Sequence, residues 1–208
     1  VVGPQRRLSA ILSADVVGYG KLVRDDETGT IEAVKRLLSV VIAPKLEEHA
    51  GRIVKLMGDG VLAEFPSVVE AVNFAVEAQA ALAAEDQAIR YRMGVNLGDV
   101  IIDGDDIQGD GVNVAARLEA ICAPGGLCIS DLVHQAIAGK TELDFEDLGA
   151  QNLKNIDTPV RVWQWRQKDL IAGSVQVPEE QQIKFCTTPD AVSLAYAVVG
   201  QGPPLVKA

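Results

Sequence analysis

Short β-branched runs along the chain alternate with longer segments whose apolar residues return every three or four positions, the pattern of strands interleaved with amphipathic helices. Arg7 to Gly18, RLSAILSADVVG, alternates and then becomes continuously apolar, as a central strand does, and Asp15 stands where it ends. After a polar link at Arg24 to Glu27, Ile31, Val34, Leu37, Leu38, Val41 and Ile42 share one face of a helix predicted over Thr30 to His49. Pro44 should kink or interrupt that helix. Gly51 to Phe65 reads as a hairpin, with strands at Arg52 to Met57 and Val61 to Phe65 around Gly58-Asp59-Gly60, because Gly and Asp tolerate the positive φ that such turns demand. Ser67 and Glu70 make a capping box for an alanine-rich helix reaching about Ala84.

Arg90 to Ile102 is the next strand pattern, followed by a turn at Asp103 to Asp105 and, after Asp106 to Gly111, a helix over Val112 to Ala120. In that helix Val114, Ala115, Leu118 and Ile121 form the buried side, while Asn113 and Arg117, four apart, share the other face. A turn at Pro124 to Gly126, a buried strand at Leu127 to Ile129, an N-cap at Ser130 and a short helix at Leu132 to Ala138 follow. Strands are expected at Phe145 to Leu148 and Val160 to Trp165, with Leu153 to Asn155 in a loop or strand end between them.

Composition narrows the function classes. The 208 residues suffice for one full domain with an appendage, and the net charge of −10 disfavours sequence-independent nucleic-acid binding, which needs a cationic face. No apolar run reaches the length of a membrane span, so no membrane contact is expected of this chain. Three cysteines without a C-x-x-C suggest neither a disulfide framework nor a zinc site and fit a reducing cytoplasm. The two histidines, His49 and His134, have no ligand cluster around them and are expected on helices as ordinary residues. A start at Val1, without a signal segment, reads as that of an excised piece.

The candidate chemistry is acidic. Asp15 can cap the turn Gly18-Tyr19-Gly20, or it can hold a cation beside a run of backbone N–H groups. Asp59 can be a turn former at a hairpin tip or a carboxylate presented there, and Lys55, flanked by apolar residues, can be a buried-edge lysine that wants a partner or a snorkelling surface residue. The Asn113 and Arg117 face carries less Lys and Glu than a plain solvated face does. Lys154 can be a plain surface charge.

Taken in order, SADVVGY around Asp15, KLMGDG around Asp59, DDIQGDGVNVAARLE from Asp105 to Glu119, and LKNI followed by PVRVW around Lys154 make Arg7 to Gln167 resemble the class III adenylyl and guanylyl cyclase catalytic domain. The resemblance implies an α+β, ferredoxin-like core working as a head-to-tail homodimer, with nucleotide sites built from both chains. It implies that Asp15 and Asp59 bind two Mg²⁺ or Mn²⁺ ions per site, that Lys55 and Asp106 of the other subunit select the base, and that Val16, Gly18, Tyr19 and Lys154 contact phosphates. Asn113 would orient the ribose, and Arg117 would meet the α-phosphate in the transition state. An Asp acceptor and a Lys donor match the N6 donor and N1 acceptor of adenine and mismatch guanine, which argues for ATP as substrate and cyclic AMP as product. A nucleotide-binding pseudocyclase and a guanylyl cyclase are the rival readings. Two positions depart from the family pattern: Gln108 replaces a usual aromatic, and Gly20 replaces a frequent Ser or Thr.

Residues 1–168 are thus expected to be the cyclase domain, with a linker over 169–181. Residues 182–208 alternate like two strands about Pro189-Asp190 and resemble the opening strands of an α/β-hydrolase domain, without its nucleophile elbow, acid or histidine. They are expected to pack on the cyclase surface or a neighbouring chain and to belong to a second domain continuing beyond Ala208.

Overall fold

The computed structural model describes residues 5–86, 88–167, 182–187 and 193–198. Strand β1 (Gln5–Val16) lies between β3 (Gly60–Phe65) and β4 (Tyr91–Asp103) and runs antiparallel to both. The sheet order is β2-β3-β1-β4-β6-β8-β7, with β2 (Arg52–Met57) at one end and β6 (Gly126–Ser130), β8 (Val160–Arg166) and β7 (Glu146–Gln151) at the other. A short β5 (Asp106–Gln108) folds back onto the end of β4. β4 and β6 run parallel, so the chain must cross over between them, and α5 (Asp110–Ile121) makes that crossing. This is the α+β architecture expected.

The two-residue period of β1 sorts its side chains between two faces. Ala10, Leu12, Ala14 and Val16 enter the larger core together with α2 (Glu27–Leu37), α3 (Ala43–Glu48), α4 (Val68–Glu85) and α6 (Asp131–Ile137). Ile11 points to the other face, where it meets Leu62, Val100, Ile107 and Ala115 of α5. By the same parity Asp15 belongs to the α5 face, as does Arg92 on β4. Helix and sheet come very close there: a Cβ on Gly94 would lie 2.3 Å from the Glu119 nitrogen and 2.4 Å from the Ala115 oxygen. Gly98 and Gly111 repeat the arrangement, a Cβ on Gly98 falling 2.9 Å from the Gly111 Cα. Glycine is therefore what lets α5 rest on β4 backbone to backbone.

Several local expectations are corrected. The polar link at Arg24 to Glu27 is largely helical, since α1 (Tyr19–Asp25) follows β1 at once and Asp26 caps α2 through a bond from the Gly29 amide to its side chain. The interruption expected at Pro44 is present, since the α-helical pattern stops at Leu37 and resumes as the separate α3 at Ala43. The turn before it, Leu38–Ile42, is π-helical, with the Ala43 N–H reaching the Leu38 carbonyl, so the proline falls in the first turn of α3 where no N–H is required. Ile121 is exposed rather than buried, because the buried stripe of α5 runs through Ala115, Leu118 and Glu119 and on to Cys122. Ser130 precedes α6, yet its hydroxyl caps nothing and has no partner among the described residues. His49 is the C-cap of α3 and bonds Glu70 at 2.7 Å, and His134 lies on α6 and stacks on Trp163.

The described residues beyond 167 belong to a second unit. In it β9 (Gln182–Thr187) and β10 (Ser193–Val198) pair antiparallel, with Ser193 opposite Thr187. The expected linker over 169–181 and the turn at Pro189-Asp190 lie outside the described residues. Among the described residues no helix is long and apolar enough to cross a membrane.

Candidate active site

Asp15 is the last residue but one of β1, and Asp59 sits on the hairpin tip between β2 and β3, which pair through Met57 and Gly60. Because β3 also pairs with β1, with Ala14 opposite Val61, the tip is carried back over the end of β1. The Asp59 side chain is half-buried and lies beside the Asp15 carboxyl. Asp59 is thus not held clear of the sheet as the hairpin alone suggests. Burial, and after it the neighbouring Asp15, push Asp59 up to about 6, while the Asp59 and Val16 backbone amides pull the other way.

The register opposite Asp15 places Arg92 of β4 directly across from it. Arg92 Nη2 lies 3.1 Å from Asp15 Oδ2 and 3.0 Å from Glu119 Oε1, the latter on the close-packed turn of α5. Glu119 is buried and pushed up to about 7, first by burial and further by Asp15 and Asp59, against the attraction of Arg92. Three carboxylates and one guanidinium therefore meet at this end of the sheet. Neither Arg92 nor Glu119 stands out in the sequence as a site residue. An arginine inside an apolar strand was the available signal, but its partner is visible only once the β1–β4 register is known.

Lys55 and Asp106 form a second group. Lys55 Nζ lies 3.3 Å from Asp106 Oδ2, with side chains 54% and 35% exposed. Lys55 has the partner expected of it but is not a buried-edge lysine. Strand β2 is the sheet edge and its register shifts between Ile53 and Lys55, which turns Lys55, Leu56 and Met57 to solvent. Asp106 is oriented by the Ile107 amide, which donates to its Oδ1 at 2.9 Å.

Arg117 and Lys154 meet through the backbone. Arg117 Nε donates to the Lys154 carbonyl at 3.0 Å, and among the described residues the terminal nitrogens of Arg117 take no partner. Asn113, one turn earlier on α5, is exposed. Of the expected phosphate contacts, Val16 is buried, Gly18 adopts a left-handed φ of 68° ahead of α1, and Tyr19 is the first residue of that helix. Among the described residues no hydrogen bond or ion pair joins Lys55, Asp106 or Arg117 to the Asp15 and Asp59 pair. One protomer therefore shows an acid cluster and, apart from it, a set of donors, rather than one closed pocket.

No protein-family model matches the chain. A Rhizobium meliloti relative provisionally named adenylate cyclase 3 is 48% identical over 92% of this chain, which spans 34% of that protein. A pH-sensitive adenylate cyclase of Mycobacterium tuberculosis is 26% identical over 82% of the chain, here 44% of the relative. The chain thus spans between a third and a half of the length of these curated relatives. Among solved structures, the adenylyl cyclase CyaB of P. aeruginosa superposes with a TM-score of 0.71 at 23% identity, over 80% of this chain and 97% of that one, a likeness of fold. The adenylate/guanylate cyclase/hydrolase of Silicibacter pomeroyi superposes with a TM-score of 0.75 at 43% identity, and the match covers 79% of this chain and 99% of that one. On that shared fold and sequence, residues 5–167 make this chain a member of the class III adenylyl/guanylyl cyclase family.

Proposed function

We propose that the chain is an adenylyl cyclase that converts ATP to 3′,5′-cyclic AMP and pyrophosphate at sites shared between two copies in a head-to-tail homodimer. The observation that carries the choice of ATP is the Lys55–Asp106 pair. A loose, exposed ion pair of this kind contributes little to stability, on the order of 0–1 kcal/mol, so a purine edge can enter it at low cost. Lys55 then donates to adenine N1, and Asp106, already aimed by the Ile107 amide, accepts from N6. Guanine would bring a carbonyl to the carboxylate and an N–H to the ammonium.

The acid pair supports the metal assignment. Two hard carboxylates, one of them pushed up to about 6 by burial and then by the nearness of the other, are a donor set whose mutual repulsion Mg²⁺ or Mn²⁺ would relieve. Two carboxylates supply only part of the six oxygen ligands that such an ion takes, and phosphate oxygens and water would supply the rest. When bound, the ions would activate the ribose 3′-hydroxyl and neutralise the departing pyrophosphate. Arg117, anchored by its Nε to the Lys154 carbonyl, keeps its terminal nitrogens for a phosphoryl group whose charge grows in the transition state. Asn113 holds the ribose from one turn earlier, and Lys154 with the amides of Val16, Gly18 and Tyr19 holds the phosphates.

Turnover of ATP and GTP with Mg²⁺ and with Mn²⁺, measured over a range of protein concentrations and in Asp59→Ala, tests the reading. Specific activity toward ATP should rise as dimers form and should vanish in Asp59→Ala. Tight ATP binding without turnover would establish the pseudocyclase reading instead, and preference for GTP would establish the guanylyl one.

A further inference from the structure

Cys122 and Cys128 are free, buried thiols outside the site just described. Cys122 is the C-cap of α5, and Cys128 lies on β6 opposite Gly94. Their surroundings are apolar, formed by Leu118, Leu153 and Val162, with two exceptions: Cys122 Sγ donates to the Ala123 carbonyl at 3.5 Å, and a side-chain amide reaches both sulfurs. The Gln164 side chain, itself 3% exposed, enters from β8 with Nε2 3.8 Å from Cys122 Sγ and 3.7 Å from Cys128 Sγ.

The orientation of that amide is determined by its other end. Arg166 donates to Gln164 Oε1 from Nε at 3.0 Å and from Nη2 at 2.8 Å, so the oxygen faces the guanidinium and the NH₂ must face the sulfurs. Two neutral thiols are poor acceptors for a buried amide donor, whereas a thiolate is a good one. The nearby donors favour charge on Cys122. The Cys128 thiol lowers its pKa most, and the Met93 backbone amide and Gln164 add to this against burial and Glu119. Cys128 is pushed strongly up by the same pairing and by burial.

We infer that Cys122 and Cys128 are a reversible oxidation site, in which Cys122 reacts with a hydroperoxide and Cys128 resolves the product to a disulfide. The Cys122 thiolate attacks the distal peroxide oxygen; the S–O bond forms, the O–O bond breaks, and the leaving alkoxide or hydroxide takes up a proton. The Cys128 sulfur, giving up its proton, then attacks the Cys122 sulfur; the S–S bond forms and the sulfenate oxygen leaves as water. The two sulfurs lose two electrons and the peroxide gains them, and a dithiol reductant reverses the change. Access requires an opening of the turn at 123–126, which carries the exposed Pro124 and is held by the bonds from the Gly126 amide to the Ala123 carbonyl, from the Gly125 amide to the Tyr91 carbonyl and from Gln79 Nε2 to the Gly126 carbonyl. The bond would tie the end of α5 to β6, next to the strand that carries Arg92.

The experiment uses the full chain in a Cys186→Ser background, treated with hydrogen peroxide in native buffer and read by intact mass and peptide mapping. Expected are a loss of two hydrogens, a linked pair of peptides containing Cys122 and Cys128, and full recovery with a dithiol. Cys128→Ser should instead accumulate a dimedone-reactive sulfenate at Cys122. Gln164→Leu should slow the reaction roughly tenfold, the value of one hydrogen bond to a charged acceptor. No linked peptide in the folded protein, or a sulfenate trapped on Cys128 in Cys122→Ser as fast as on Cys122 in Cys128→Ser, overturns the assignment. None of these readings depends on cyclase turnover.

Discussion

Replacing Asp59 by Asn should stabilise the metal-free protein at neutral pH. Asp59 is moved from its ordinary 3.8 to about 6 by burial and by the Asp15 carboxyl. A displacement of that size corresponds to at most roughly 3 kcal/mol, at about 1.4 kcal/mol per tenfold change in the proton equilibrium. Asp59 is partly exposed, and screening brings the expected value to about 1 kcal/mol. For an acid whose folded pKa is raised, the folded state binds the proton more tightly, so the cost of ionisation is absent below about 4 and complete above about 6. Metal-free wild type should therefore lose stability as pH rises through that window. Glu119, raised to about 7, extends the same trend upward, which is why Asp59→Asn serves as the reference. Urea denaturation in chelator at several pH values from 4.5 to 7.5 should show the variant about 1 kcal/mol more stable at the upper end and no different at the lower. Mn²⁺ at roughly a hundred times its Kd should then return about 2.7 kcal/mol to wild type and much less to the variant. A variant no more stable than wild type at neutral pH without metal, or one with the same pH dependence, would show that the two carboxylates do not share a proton.

Four further outcomes follow from the geometry. Changing Lys55 to Glu and Asp106 to Cys together should lower the ratio of ATP to GTP turnover, and an unchanged ratio would remove both residues from base selection. Arg117→Ala should cost on the order of 10²-fold in kcat with the fold intact by circular dichroism, whereas a change confined to KM would place the guanidinium on the ground state only. Gly94→Ala has no room for its methyl against the Glu119 and Ala115 backbone and should destabilise by about 2 kcal/mol or more in thermal unfolding; a neutral result would show that α5 can lift off β4. Glu64 is 5% exposed and takes hydrogen bonds from Ser9, Arg7 and Arg52, which outweigh its burial and hold its pKa down. Glu64→Gln should therefore cost about 2 kcal/mol, part of the charge being compensated because both arginines reach solvent, and a melt within experimental error of wild type would show the network to be ornamental.

What was legible in the sequence was local. Gly58-Asp59-Gly60 announces its own turn, Ser67 and Glu70 announce a helix start, and the four-residue spacing of Asn113 and Arg117 aims both one way. Arg92 and Glu119 were not legible because their meaning depends on pairing: Arg92 becomes a neighbour of Asp15 only through a register set by twelve residue pairs between distant segments. Lys55 stays open between burial and exposure in the sequence for the same reason, since apolar flanks suggest burial while an edge position and a shifted register give exposure. The π-helical turn before Pro44 is a compromise that periodicity alone cannot express. Cys122 and Cys128 show no motif spacing and are brought together by Gln164, which lies more than thirty residues further along.

The glycine contact between β4 and α5 bears on how variants of this protein can be interpreted. Where a helix rests on a sheet through side chains, altering its outer residues can let it settle or tilt, and lost activity then confounds chemistry with displacement. Here Gly94, Gly98 and Gly111 leave little compressible material between the two. Residues on the outward side of α5, Asn113 and Arg117 among them, can be exchanged over a frame that does not shift, so a change in activity there reads as a lost contact rather than as a displaced helix.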